Sequence, residues 1–212
     1  MKIYGISGLG ADKRVFERLS FDYEFQFIEW IEPKPKEPLE AYSMRLADII
    51  DQREPFVLIG VSFGGLVAVE ISKRLNPALT ILISSAATKH DIPLLYRWIG
   101  KLGIPYVMPE FLAKPPLFFA EYMFNAEDKV LLRQILIDTD LSFSKWAIGE
   151  LTKWKNEELI SNCVKICGQI DKILPPMQYE DVIEIENGGH FMIADQAKLI
   201  SKIINEKVKT LS

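Results

Sequence analysis

The sequence predicts an α/β fold in which a mainly parallel sheet of about six strands is covered by helices on both faces. Short apolar runs rich in β-branched and aromatic residues alternate with segments of helical period, and this alternation is typical of a parallel sheet. The length of 212 residues suits one domain with room for an insertion. Six runs are predicted to be strands: Lys2–Ser7, Glu24–Trp30, Phe56–Val61, Leu79–Ser84, Val164–Gly168 and Val182–Glu186.

Three segments are predicted to be the helices that cover this sheet: Leu39–Gln52, Gly64–Asn76 and Ile193–Lys209. The last segment carries apolar residues along one face, with lysines and a glutamate on the opposite face. This is the pattern of an amphipathic helix that packs on a core.

One long segment interrupts the alternation of strands and helices. Residues 88–162 have no good strand pattern, contain three of the four tryptophans, and are divided by prolines in their first half. Two stretches in the second half have a helical pattern, Val130–Ile137 and Phe143–Lys155. We therefore predict a helical insertion at 88–162 within a core formed by 1–87 and 163–212.

The composition argues against several classes of function. The net charge of −4 and the lack of a basic stripe argue against nucleic acid as a partner. No apolar run reaches the roughly 18 residues that a membrane span needs. Residues Met1–Ile6 enter a strand directly, with no signal-peptide pattern, so we expect a cytoplasmic protein. A small-molecule substrate is the expected partner, and the sequence gives no oligomeric state.

Cys163 and Cys167 are the two cysteines of the chain. Four residues along a strand separate Cα atoms by about 13 Å, whereas a disulfide needs Cα atoms within about 7 Å. We therefore expect two reduced thiols. Because the chain has two histidines, it offers few metal ligands, and we predict neither a metal nor a cofactor.

The most informative motif is G-x-S-x-G at residues 60–64, which places Ser62 between a predicted strand and a predicted helix. A sharp turn in this setting holds a serine in a strained conformation and lifts its hydroxyl above the edge of the sheet. Glycines two positions to either side fit the crowded turn, where a side chain would collide. The motif therefore predicts that Ser62 is a nucleophile.

A serine nucleophile needs a base, which is usually a histidine within hydrogen-bonding distance. His190 follows two glycines, after the last predicted strand and before the terminal helix, and we predict that it is this base. His90 lies at the start of the insertion, and we expect it to be an ordinary solvated side chain.

The third member of such a site is a carboxylate that orients the imidazole. Asp171 lies in the loop after the strand that ends at Gly168, and sites in open α/β sheets gather outside the carboxyl ends of the strands. Asp171 is our candidate, and Asp91, which also follows a strand, is the rival.

An oxyanion hole needs two backbone N–H groups directed at the developing negative charge. Phe63, directly after the nucleophile, is predicted to supply one of these N–H groups. Leu9, in the glycine-rich loop after the first strand, is predicted to supply the other. That loop is not a dinucleotide-binding motif, because it lacks the third glycine. The alternative to an oxyanion donor at Leu9 is a plain glycine-rich turn with no role in binding. Asp12 at its end is predicted to cap the next helix.

With Ser62, Asp171 and His190 in this order, the sequence resembles the α/β-hydrolase superfamily, and most of all its small single-domain bacterial hydrolases and esterases. The resemblance covers nearly the whole chain. It rests on the motif at 60–64, the Gly-x-x-Asp loop with its following prolines, and the Gly-Gly-His-Phe-Met segment at 188–192.

The resemblance implies further features of the architecture. The insertion at 88–162 would be a helical cap over the active site, and Leu9 and Phe63 match the oxyanion donor positions. The sheet would lack the family's first two strands and so be entirely parallel. The family often has His-Gly where this chain has Ser7-Gly8, but the donor is a backbone group, so the oxyanion hole should survive.

Together these residues predict a serine-nucleophile hydrolase that cleaves an ester or thioester of a small apolar acyl substrate through an acyl-enzyme. The aromatic insertion is consistent with an apolar pocket, and equally with the core of a packed helical bundle. Two alternatives remain. One is C–C bond hydrolysis or acyl transfer on the same triad, and the other is a ligand sensor or binding protein that keeps its geometry.

Overall fold

The computed structural model describes residues 1–176 and 182–211. Its centre is one six-stranded sheet in which every neighbouring pair is parallel, in the order β2-β1-β3-β4-β5-β6. The six predicted strands are confirmed, some with shorter bounds: β1 Lys2–Ile6, β2 Glu24–Phe27, β3 Phe56–Val61, β4 Leu79–Ile83, β5 Cys163–Gly168 and β6 Val182–Ile185.

Nine α-helices and four 3₁₀ helices lie within these described ranges. The α-helices are α1 Leu39–Leu46, α2 Phe63–Leu75, α3 Leu94–Lys101, α4 Ile104–Val107, α5 Leu117–Phe124, α6 Lys129–Asp138, α7 Leu141–Lys153, α8 Met192–Asp195 and α9 Ala197–Lys209. The 3₁₀ helices are Lys13–Val15, Ala47–Ile49, Lys89–Asp91 and Glu110–Ala113.

Both faces of the sheet are buried, as a parallel sheet requires. Every residue of β3 and β4 is buried. Side chains alternate between two apolar clusters, so Val57 faces the cluster that includes α9, whereas Leu58 faces the cluster that includes α1 and α2. The predicted helical cover on both faces is confirmed.

Two of the predicted helices are shorter or divided in the structure. The helix predicted over Leu39–Gln52 ends at Leu46, because the chain tightens into a 3₁₀ turn and Ile50 is extended, at φ −76° and ψ 120°. The helix predicted over Ile193–Lys209 is two helices, α8 and α9, because Gln196 between them leaves helical geometry at φ −117° and ψ 32°.

The segment between β4 and β5 is described throughout and contains helices but no strand. Prolines occupy the N-cap positions of α3 and α5, where a missing N–H does no harm, so the first half is divided as predicted. The predicted helix Val130–Ile137 lies within α6. The predicted helix Phe143–Lys155 begins earlier, at Leu141, because the Asp140 side chain caps α7 by accepting from the Phe143 N–H.

Cys163 and Cys167 are both reduced thiols, as predicted, and Cys167 is buried. Burial raises the pKa of the Cys167 thiol to about 11, so the group is protonated at neutral pH. Within residues 1–176 and 182–211, no helix is long and apolar enough to cross a membrane.

Two buried hydrogen bonds attach α7 and its C-cap to helices of the core. The Trp154 indole N–H donates to Glu70 Oε1 on α2 at 2.7 Å. Glu150 Oε2 accepts from the Leu39 N–H, the first amide of α1, at 3.0 Å. Burial raises the pKa of the Glu150 carboxyl. Buried polar groups are costly unless they are paired, so these bonds fix where the end of α7 meets α1 and α2.

We expect Trp154→Phe to lower the free energy of unfolding by about 1–3 kcal/mol, because a buried carboxylate oxygen loses its indole donor while the aromatic packing is largely kept. Trp98→Phe is the matched control: Trp98 is exposed on α3, and its replacement should change stability by no more than about 0.5 kcal/mol. Urea denaturation measures both variants. Equal stability of Trp154→Phe and the parent would contradict this account.

Candidate active site

The residues singled out from the sequence follow the carboxyl ends of three strands of the sheet. Ser62 follows β3, Asp171 lies three residues after β5, and His190 lies beyond β6. The strands are parallel and in register, with Val61 beside Ile83 and Gly168 beside Ile185, so these loops emerge at one edge of the sheet. This is the edge at which ligands bind in open α/β sheets.

Ser62 stands at a sharp turn between β3 and α2. Its backbone has φ 50° and ψ −121°, a positive φ that non-glycine residues rarely adopt. Such a conformation costs on the order of 1–3 kcal/mol and persists only where the surroundings impose it. Here the Ser62 N–H donates to Ile83 O at 2.9 Å, and Ser62 O accepts from Ser85 Oγ at 2.6 Å and from the Gly65 N–H at 2.9 Å.

The two glycines of the motif are needed for close packing, as predicted. A Cβ on Gly60 would lie 2.5 Å from Gly65 Cα, and a Cβ on Gly64 would lie 2.1 Å from Ser7 O. Both distances are far below a van der Waals contact with backbone atoms. The turn therefore forms only where these positions carry no side chain.

Ser62, His190 and Asp171 form one chain of hydrogen bonds. His190 Nε2 lies 2.8 Å from Ser62 Oγ, and His190 Nδ1 lies 2.8 Å from Asp171 Oδ2. Because a carboxylate oxygen only accepts, Nδ1 carries the proton and donates it to Asp171, which leaves Nε2 to accept from the Ser62 hydroxyl. The His190 and Asp171 side chains are 3% and 0% exposed, whereas Ser62 is only partly buried.

Asp171 is held by the loop that carries it. Its second oxygen, Oδ1, accepts from the Ile173 N–H at 2.8 Å and the Leu174 N–H at 2.9 Å. Both carboxylate oxygens are therefore paired, which a buried carboxylate needs. The end of β5 and the loop after β6 pack closely at two glycines, since a Cβ on Gly168 would lie 2.2 Å from Gly188 O.

Two side chains of the segment between β4 and β5 lie beside the site, and sequence reasoning assigned neither of them a role there. The Phe124 ring meets the His190 ring edge to face, with 5.2 Å between centroids. The pKa of the Tyr96 phenol is raised by burial and then by the negative charge of Asp171. The aromatic content of this segment was evident, but no local pattern distinguished these two residues from the others.

The rival acid has another partner. Asp91 Oδ1 accepts from Lys165 Nζ at 2.8 Å, and its Oδ2 accepts from the Ala87 and Thr88 N–H groups. Asp91 and Lys165 are both buried, so the carboxylate is paired with a cation inside the protein. His90, which precedes Asp91 in the chain, is exposed, as expected from the sequence. The structure brings Asp171, not Asp91, to His190.

The two expected oxyanion donors lie near Ser62. Phe63 is the first residue of α2, and its N–H has no acceptor within the described chain, as is usual for the first turn of a helix. Leu9 lies in the loop after β1, where its N–H also has no acceptor among the described residues. A Cβ on Gly8 would lie 3.2 Å from Ser62 Cβ, so this loop passes directly beside the serine.

Asp12 has the predicted capping role. Its carboxylate accepts from the Arg14 N–H at the start of the 3₁₀ helix. The Arg14 guanidinium beside it holds the pKa of the Asp12 carboxyl below its ordinary value. Across residues 1–176 and 182–211, no three histidine, cysteine or acidic side chains cluster closely enough to hold a metal ion.

A partly exposed hydroxyl bonded to a buried imidazole, which is bonded to a buried carboxylate, is an arrangement suited to nucleophilic catalysis. The model of the alpha/beta hydrolase family matches residues 10–202. The chain belongs to the α/β-hydrolase family.

Solved structures show the same fold at low sequence identity. A thermophilic esterase from Thermogutta terrifontis is 17% identical with a TM-score of 0.74, over 100% of this chain and 90% of that one. A hydrolase from Oleispira antarctica is 12% identical with a TM-score of 0.75, over 98% and 90%. A meta-cleavage product hydrolase from Pseudomonas fluorescens is 17% identical with a TM-score of 0.68, over 100% and 92%. No curated protein matches the sequence significantly.

We expect Lys165→Met to lower the free energy of unfolding by about 3–5 kcal/mol, because it leaves the buried Asp91 carboxylate without its cation. The double variant Lys165→Met/Asp91→Asn should recover part of this loss, since the side chain at position 91 then carries no charge that needs a cation. Urea denaturation of the parent and the two variants provides the measurement. Equal stability of the single and double variants would count against the pairing.

Proposed function

We propose that this protein is a serine hydrolase that cleaves an ester or thioester of a small apolar acyl group through an acyl-enzyme. The observation that carries the proposal is the chain of two 2.8 Å hydrogen bonds from Ser62 through His190 to Asp171. Membership of the α/β-hydrolase family supports the coarser statement, a hydrolase. We propose an acyl carbonyl as the reacting group, because a serine hydroxyl activated by a histidine base is suited to attack an acyl carbon.

In the first half of the reaction, Ser62 Oγ attacks the acyl carbonyl carbon while His190 Nε2 takes the hydroxyl proton. The carbonyl oxygen becomes an oxyanion, for which the Leu9 and Phe63 N–H groups are the proposed donors. The bond to the leaving alcohol or thiol then breaks, and His190 gives that group the proton. The acyl group stays on Ser62.

The second half repeats these steps with water as the nucleophile. His190 takes a proton from the water, whose oxygen attacks the acyl carbon, and returns the proton to Ser62 Oγ as the acid leaves. Asp171 fixes the imidazole tautomer and stabilises the imidazolium in both halves. No step requires a metal or a cofactor.

The proposal also covers the helical cap, the kind of substrate and the cellular location. Residues 88–162 act as a helical cap on a core of 1–87 and 163–212, since they lie between β4 and β5 and place Phe124 against His190. The substrate is a small molecule, and the apolar acyl group is proposed from the aromatic side chains of this segment. The protein is proposed to act in the cytoplasm.

Replacing the nucleophile tests the proposal directly. We expect Ser62→Ala to lose hydrolysis of p-nitrophenyl acetate by at least about 10⁴-fold and to lose labelling by a fluorophosphonate probe, because both reactions need the Ser62 oxygen. Ser84→Ala is the matched control, since Ser84 is a buried serine at the end of the next strand and should leave both signals near those of the parent.

Hydrolysis by Ser62→Ala as fast as by the parent would overturn the proposal. Labelling of Ser62 without turnover of any ester in a panel of acyl chain lengths would instead favour a ligand sensor that keeps the triad geometry. The absence of labelling in the parent would contradict the assignment of Ser62 as a nucleophile.

Two aspartates separate the role of the acid from a contribution to stability. We expect Asp171→Asn to lower kcat by about 10⁴-fold, because an amide no longer holds the imidazole in the required tautomer. Asp91→Asn should lower the melting temperature, because the buried ion pair with Lys165 is lost, yet keep kcat within about threefold of the parent. Steady-state kinetics and thermal melts measure both effects, and the reverse pattern would make Asp91 the acid.

A further inference from the structure

The loop after β1 is a tight turn with several restraints. The Ala11 N–H donates to Gly8 O at 3.0 Å, and Gly10, the third residue of the turn, has φ +69°. Ala11 O accepts from Ser7 Oγ at 2.7 Å and from the Trp30 indole N–H at 3.0 Å. The second residue of this turn is Leu9, the proposed oxyanion donor, so whatever holds the turn holds that donor.

A residue of the segment between β4 and β5 also holds this turn. Thr139, at the C-cap of α6, has its Oγ1 2.9 Å from Gly10 O and 2.8 Å from Ile135 O, so the two carbonyls share its proton. The contact is close: a Cβ on Gly10 would lie 2.5 Å from Thr139 Cγ2. Because the bond to Ile135 alone would satisfy the hydroxyl, the approach to Gly10 is not required by the helix.

The neighbouring residue makes a second contact with the same loop. Asp138 Oδ2 lies 2.8 Å from Arg14 Nη2, and the Arg14 guanidinium also binds Asp12 at 2.6 Å. The loop is thus attached to the junction of α6 and α7 at Gly10 and again at Arg14. Because the Asp138 side chain is exposed, this ion pair contributes little by itself, and the hydrogen bond at Gly10 is the contact considered further.

We propose that Thr139 is a positioning residue that fixes the Leu9 N–H toward the oxyanion through the Gly10 carbonyl. This inference rests on the proposed serine-hydrolase function. Oxyanion donors act because they are already in place when charge develops, and a displacement of about 1 Å at a reacting centre is enough to lower a rate substantially. A residue far from the triad in sequence therefore sets the strength of one donor.

Removal of the Thr139 hydroxyl tests the role. Because loss of a whole oxyanion donor costs about 10²–10³-fold in kcat, the loosened turn in Thr139→Val should lower kcat for p-nitrophenyl acetate by about 5- to 20-fold. KM should stay within about twofold of the parent value, since the Leu9 N–H binds the oxyanion only in the transition state. Thr139→Ser keeps the hydroxyl and should restore kcat to within about threefold of the parent.

Two further readouts separate positioning from a general loss of structure. The pH profile of kcat should keep its midpoint, because the variant leaves His190 and Asp171 untouched. Amide hydrogen exchange of a peptide covering residues 8–14 should become faster in Thr139→Val and not in Thr139→Ser. Thr152→Val is the matched control, since Thr152 is a buried threonine of α7 whose hydroxyl bonds to Gly149 O and not to the loop.

A kcat of Thr139→Val equal to that of the parent, in a protein whose turnover depends on Ser62, would overturn the positioning role and leave the proposed function intact. An equal loss in Thr152→Val would also overturn it, because the effect would then be one of packing. If Thr139→Val does not fold, Thr139→Ala removes the hydroxyl without crowding Gly10, and the same outcomes apply. Absence of Ser62-dependent turnover in the parent is a different result, which ends both proposals.

Discussion

The strained backbone at Ser62 is the constraint on which the rest of the site depends. Its positive φ is held by the carbonyl of Ile83 and the hydroxyl of Ser85, and the turn also needs the close approach of Gly64 to Ser7 O. These groups come from the ends of β1, β3 and β4, so the turn exists only once the centre of the sheet is assembled. The buried strands thus offset a local cost of about 1–3 kcal/mol at Ser62, the proposed nucleophile.

The sequence predicts those features that neighbouring residues encode. The glycines around Ser62, the glycines before His190, and the strand before Asp171 are local patterns, and a parallel sheet brings the carboxyl ends of its strands to one edge. Chain order and topology were therefore enough to predict that these three residues lie together. The bounds of the strands followed from the same kind of local signal, the alternation of apolar runs with turns.

Features that depend on distant contacts were not predictable. Thr139 and Gly10 are 129 residues apart, and no periodicity or motif links them. The contact of Phe124 with His190 is of the same kind, since an aromatic residue in a helical segment most often packs in a core. A second limit is local: the end of α1 at Leu46 and the break at Gln196 depend on backbone angles that helical periodicity does not encode.

These long-range contacts connect the segment between β4 and β5 to two ends of the site. At one end of the site, Phe124 O accepts from the Phe191 N–H at 3.3 Å, beside His190. At the other end, Thr139 bonds to the loop that carries Leu9. A movement of the segment as one body would therefore displace His190, the proposed base, and Leu9, the proposed oxyanion donor, together. As a cap, it would control the geometry of the reaction as well as access to Ser62, and changes within it would affect kcat even where they leave the substrate contacts unaltered.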